Sequence, residues 1–141
     1  MAAAKRVIVG EKINHLIQIE DWDWNYSLSV EAGDHHEYRP IEIKGKLMLP
    51  ANIKATSVRA LLHPVIRPSW KKRVKNVGGV LYRGKDYTAY LDVAPDAISP
   101  LLQMLIAGKY RYLTMRVLKS GTGRAQVENY RLSSTVDDDA L

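Results

Sequence analysis

Trp22-Asp23-Trp24-Asn25-Tyr26-Ser27-Leu28-Ser29-Val30 alternates without an exception: every even position is aromatic or aliphatic, and every odd one is Asp, Asn or Ser. Side chains on a β-strand point to opposite faces with a period of two. The run therefore makes one apolar face and one polar face, the mark of an antiparallel sheet packed on one side. On this reading Trp24 is buried in mid-strand, while Asp23 and Ser27 face water. Upstream, Ile13, Ile17 and Ile19 share a face with His15, and the apolar parity then switches to even numbers at Trp22. Either a tight turn near Asp21 joins two strands, or one long strand carries a bulge there, because one extra residue reverses the facing.

Working outward, residues 33–39 read as a loop rich in turn formers and charge. Residues 41–49 alternate again, with Ile41, Ile43, Leu47 and Leu49 inward and Glu42, Lys44 and Lys46 outward. The outward lysines suit the acidic face of the 22–30 run, at about 0.2–1 kcal/mol for each cross-strand pair of opposite charge. Residues 55–62 form a strand with Thr56, Val58, Ala60 and Leu62 on one face, and His63-Pro64 stops it. A long polar connection over 65–79 precedes a hairpin, 80–83 and 87–93, that turns at Gly84-Lys85. Its Tyr87, Ala89, Leu91 and Val93 point inward.

One short helix is expected over about residues 96–107. Pro95-Asp96 opens it, or Ser99-Pro100 does so as N-cap and first residue, and Gly108 closes it. Leu101, Leu102, Met104, Leu105 and Ile106 leave almost no wet face, which predicts a buried helix plugging an open end. In the last hairpin, a three-residue loop Ser120-Gly121-Thr122 sets Val117 opposite Ala125 and Met115 opposite Val127. Tyr112 then faces Tyr130, and Tyr110 faces Leu132, on the other side. The fold class that follows is mainly β: an antiparallel β-sandwich or flattened barrel of about eight strands with one buried helix. Residues 1–12 read as a flexible tail, 13–133 as a single β-rich domain and 134–141 as an acidic tail.

Composition narrows the chemistry. The 141 residues are 46% hydrophobic, enough for one folded core. Phe is absent, so eight Tyr and three Trp carry the aromatic load. Cys is absent too, which excludes disulfides, thiolate catalysis and cysteine metal sites. The apolar part of the N-terminus is too short for a signal peptide, and no apolar run approaches the roughly 20 residues that span a bilayer. A soluble, cytoplasmic protein is the simplest expectation. The net charge of +6 is unevenly spread. Residues 13–38 hold six acids and no Lys or Arg, and residues 67–75 hold five cations and no acid. Asp137, Asp138 and Asp139 close the chain. Such segregation steers partners or pairs internally.

No motif specifies a reaction. The best candidate site is the segment with Arg67, Trp70, Lys71, Lys72, Arg73 and Lys75. Clustered cations release counterions on binding phosphate, and an indole stacks on an exposed base. A solvated loop explains the same residues. Asp34-His35-His36-Glu37, with His15 and His63, offers metal-ligand types but no metal-ligand spacing. Asp21, Asp23 and Asn25 project together and suit a hard cation, although Lys44 and Lys46 are the simpler neighbours. Trp22, Trp24 and Tyr26 suit a stacking platform, although a period-two aromatic stripe more often belongs to a core. Val77-Gly78-Gly79 lacks the Lys and Ser or Thr of a phosphate loop and reads as a turn or bulge. No nucleophile elbow is present.

A non-enzymatic protein-binding or assembly module is therefore expected, with a protein partner or another copy of the chain, and without cofactor, metal or membrane. Nucleic-acid binding through segment 67–75, aided by Arg83 and Lys85, is the alternative. A small enzyme built on His63 and the 34–37 loop is the second alternative.

Overall fold

Strand β1, Lys12–Trp24, runs unbroken through the point where the apolar parity switches. A bulge between Ile19 and Asp21 accounts for the switch, so the long-strand option holds over the tight turn. Opposite Ile19 sits Gly45 of the strand Ile41–Leu49, and a Cβ at Gly45 would collide with the Gln18 carbonyl oxygen. Glycine is thus required where the two backbones close up at the bulge.

The computed structural model describes residues 11–65 and 74–136. Along the chain, β1 is followed by β2 (Ser27–Glu31), β3 (Asp34–Tyr38), β4 (Ile41–Leu49), β5 (Ser57–Pro64), β6 (Gly78–Arg83) and β7 (Asp86–Val93). After helix α1 (Ile98–Ile106) come β8 (Tyr112–Gly121) and β9 (Arg124–Ser133). Seven strands close into a barrel in the order β1-β4-β5-β7-β6-β9-β8, while β2 and β3 form a separate two-stranded sheet. The expected mainly-β, flattened-barrel class with one short helix is the observed one. Every barrel pairing is antiparallel except β5–β7, which is parallel because β6 lies beyond β7 in the barrel order.

Alternation explains the core. Ile41 and Ile43 of β4, Val58, Ala60 and Leu62 of β5, and Tyr87, Ala89, Leu91 and Val93 of β7 are all buried, as their parity requires. Lys44 faces Asp21 across β1–β4, the opposite-charge pairing expected of it.

Three expectations fail, each for an identifiable reason. First, the 22–30 run is not one buried strand. β1 ends at Trp24, and β2 starts a new hairpin with β3 where a loop had been expected. Trp24 is not buried, and neither are Tyr26, Leu28 and Val30. Alternation decides which side chains share a face, but not whether anything covers that face.

Second, α1 is not buried all round. Ile98 and Leu105 enter the core, whereas Met104 and Ile106 are exposed. Its entry is the 3-10 turn Pro95–Ala97 rather than Ser99-Pro100. Its exit is a Schellman motif: Lys109 N–H donates to Met104 O, Gly108 N–H donates to Leu105 O, and Gly108 takes φ 67°. Because β6 and β9 separate β7 from β8, the α1 segment crosses the barrel end. Leu105→Ala should cost about 2–3 kcal/mol, toward the low side for a buried leucine, since the short helix can settle into the gap. Urea denaturation of the variant would measure it, and a change below about 0.5 kcal/mol would show that the helix does not seal the core.

Third, β8–β9 turns at Thr122-Gly123, with Gly123 at φ 68°, instead of through a three-residue loop. Val117 therefore faces Val127, two residues from the expected partner, and a slip of two leaves every facing intact. A bulge at Glu128 then brings Tyr130 opposite Met115 and Leu132 opposite Leu113. Tyr130 and Leu132 join the core side and do not face outward.

Candidate interaction surface

β2 and β3 form an arm rooted where β1 ends and β4 begins. Its neck is fixed by three contacts. Trp24 Nε1–H donates to Arg39 O at 3.2 Å, Asn25 N–H donates to Pro40 O at 3.4 Å, and Arg39 Nε pairs with Glu37 Oε1 at 2.7 Å. Tyr38 at the end of β3 packs on His63 of β5, which stacks on Tyr90 of β7, with centroids 6.1 and 6.3 Å apart. Beyond the neck, β2 and β3 pair with each other alone.

Register sorts the arm into two faces. Leu28 pairs with Glu37 and Val30 with His35, while Ser27, Ser29 and Glu31 pair with Tyr38, His36 and Asp34. Cross-strand partners share a face, so Leu28 and Val30 lie together. Tyr26 joins them, because its hydroxyl donates to Glu37 Oε2 at 3.0 Å, and the Trp24 ring lies 6.2 Å from the Tyr26 ring. That hydrogen bond to a carboxylate holds the Tyr26 hydroxyl above its ordinary pKa. The four side chains are 41, 54, 57 and 68% exposed in chain order. A continuous apolar stripe on a two-stranded arm is a surface of the kind that partners cover.

The tip is acidic and locally unfavourable. Glu31 and Asp34 face each other across the last rung, and like charges so placed repel. Ala32 in the turn sits at φ 52°, a left-handed position that favours glycine or asparagine.

The other sequence candidates fall in separate places. Arg67, Trp70, Lys71, Lys72 and Arg73 lie outside the described residues, and Lys75 is exposed ahead of β6. Asp34, His35, His36 and Glu37 belong to β3, where alternation sends the two histidines to opposite faces; His36 Nε2 lies 3.8 Å from Glu31. Asp21 and Asp23 each accept a hydrogen bond from the following backbone N–H. Among the described residues, no three His, Asp or Glu side chains gather as metal ligands. Gly78 and Gly79 begin β6 and do not form a turn. His63 faces Asp92 in the parallel β5–β7 register. Partial burial lowers its pKa, and the Asp92 charge opposes that shift. His15 is buried, with Nδ1 2.7 Å from the Tyr87 hydroxyl. Sequence reasoning did not foresee this pair, since 72 residues separate its members.

A second exposed apolar patch lies on the outer face of β6, β7 and β9. Leu81 and Tyr90 are exposed there and line an open pocket of about 720 Å³ with Arg83, Thr88 and Arg124. No family model, curated protein or solved structure matches the chain in comparisons with known proteins. No helix among the described residues is long and apolar enough to cross a membrane.

Proposed function

We propose that the protein is a binding or assembly module and that the β2–β3 arm is its contact element, with another protein chain as partner. The observation that carries this reading is the stripe Trp24, Tyr26, Leu28 and Val30, which lies on one face of a projecting hairpin and is left to solvent. Tyr and Trp supply large, rigid contact area and are enriched where partners bind. A hairpin of two strands is marginal in water by itself. The neck contacts and the Tyr38–His63 packing set the arm's direction.

The test is the double variant Leu28→Asp/Val30→Asp. Both positions are exposed, so its melting temperature should stay close to that of the parent. Light scattering should show association of the parent, at micromolar concentration, or its capture of an added partner. The variant should lose that association. A parent that stays monomeric at low and high salt, and that retains nothing the variant does not also retain, would overturn the reading.

A further inference from the structure

The arm and the β6–β7–β9 pocket complement each other in shape, polarity and charge. The arm is convex and apolar along Leu28 and Val30, and it ends in Glu31 and Asp34. The pocket is concave and apolar at Leu81 and Tyr90, and it is flanked by Arg83 and Arg124. Leu81 and Arg124 are register partners, so apolar and basic groups share that outer face. Arg83 faces Asp86 across β6–β7, which leaves Arg124 and the turn residue Lys85 as surplus positive charge. Segment 13–38 carries six of the fifteen acids and no Lys or Arg, so the rest of the chain carries all 21 cations against nine acids. A surface fit for the arm is therefore present on the chain itself.

The two surfaces lie at different heights of the barrel. The arm's root at Ile41 is level with Leu62 and Leu91, whereas Asp86 of the pocket is level with Ser57. The five residues between Leu91 and Asp86 correspond to about 16 Å along the strand. We propose that the arm of one copy docks into the β6–β7–β9 pocket of a second copy, head to tail. Arg83 and Arg124 then approach Glu31 and Asp34, and their charge offsets the repulsion across the tip. A contact between two different surfaces is heterologous, so it builds rings or filaments, not an isolated two-fold dimer. The inference rests on the arm being the contact element, and it adds the occupant and its site.

The chain has no cysteine, so introduced thiols report proximity without background. Full-length Val30→Cys and Leu81→Cys chains, mixed and oxidised, should form a mixed disulfide dimer. Val30→Cys mixed with Ile106→Cys, an exposed position on α1, should not. Adding Arg83→Glu/Arg124→Glu to the Leu81→Cys chain should abolish the mixed dimer, and Glu31→Lys/Asp34→Lys in the Val30→Cys chain should restore it. Thermal melts of each variant verify folding.

Cross-linking of Val30→Cys chains to one another would overturn the pocket while leaving the arm as the contact. So would absence of cross-links in a parent whose capture of another protein still depends on Leu28 and Val30. Binding of an oligonucleotide at about 50 mM salt, lost with Arg83→Glu/Arg124→Glu but kept without the arm stripe, would assign the pocket to nucleic acid and overturn self-docking. A parent with no cross-link, no association and no capture would overturn both readings.

Discussion

Tyr87→Ala is expected to lower the free energy of unfolding by about 3–5 kcal/mol. Tyr87 is among the largest side chains fully buried in the barrel, and its ring stacks on Tyr82 with centroids 6.4 Å apart. A whole domain commonly has only about 5–15 kcal/mol, so this one truncation removes a large share. Tyr87→Phe separates packing from hydrogen bonding. It keeps the ring but leaves His15 Nδ1 buried without its partner, at about 1–3 kcal/mol. Burial also raises the Tyr87 pKa, so the hydroxyl keeps its proton and remains able to donate. Trp24→Ala is the informative contrast. With Trp24 on the arm and part-exposed, its loss should stay near about 1 kcal/mol. Urea denaturation of the three variants gives the comparison. Were Trp24→Ala as damaging as Tyr87→Ala, the stripe would be part of the core, and the docking reading would lose its basis.

The second large effect is a loss of stability in acid that traces to His15. Burial holds its imidazole pKa down at about 4, against an ordinary value of 6.5. Between those values the unfolded chain binds a proton at this position and the folded chain does not, so stability rises with pH across the window. The contribution is complete above 6.5 and is lost as the pH falls toward about 4, where it amounts to about 3 kcal/mol. His15→Gln removes the titrating group. From about pH 7 to about pH 4, the variant should lose less stability than the parent by roughly that amount. Carboxylates titrate in both proteins and cancel in the difference. Equal pH slopes for parent and variant would show that His15 is protonated in the folded barrel or is not buried.

Acid and docking meet in one more respect. The proposed contact places Glu31 and Asp34 beside arginines, so association should weaken with salt, whereas the Tyr87 and His15 effects lie inside the barrel and should not. Comparing melts and light scattering at low and high salt separates the core from the contact.

Much of the barrel was legible because its strands alternate. Tyr87, Ala89, Leu91 and Val93 follow one parity from end to end, and the structure buries all four. The bulge in β1 was visible as a parity switch, but not distinguishable from a turn. A turn and a bulge change facing alike, and only pairing of the whole strand with β4 and β8 separates them. In β8–β9 the faces came out correctly although the register was two residues off, because a slip of two conserves facing. The bulge at Glu128 was invisible, since its signal, the change from Val127 to Tyr130, looks the same as a second covered face. α1 was legible in place and ends but not in burial. Its apolar content exceeds what one barrel end can cover, and Ile106 is left in water.

The candidate surface was half legible. Its residues were singled out by pattern in the first nine positions considered, but they were assigned to the inside. Sequence periodicity alone determined that Trp24, Tyr26, Leu28 and Val30 share one face, that Tyr87 and Leu91 share another, and that acid and base are segregated along the chain. These are local facts, set by the two-residue repeat of the extended backbone and by composition. Tertiary structure alone decided which apolar face is covered. Barrel closure pairs β1 with β4 and β8 and leaves no strand or helix to cover β2 and β3, so one alternating face becomes core and another becomes surface. It likewise decided that His15 meets Tyr87, and that Leu81, Tyr90 and Arg124 meet around one pocket, because those neighbours come from strands brought together only when the sheet closes on itself.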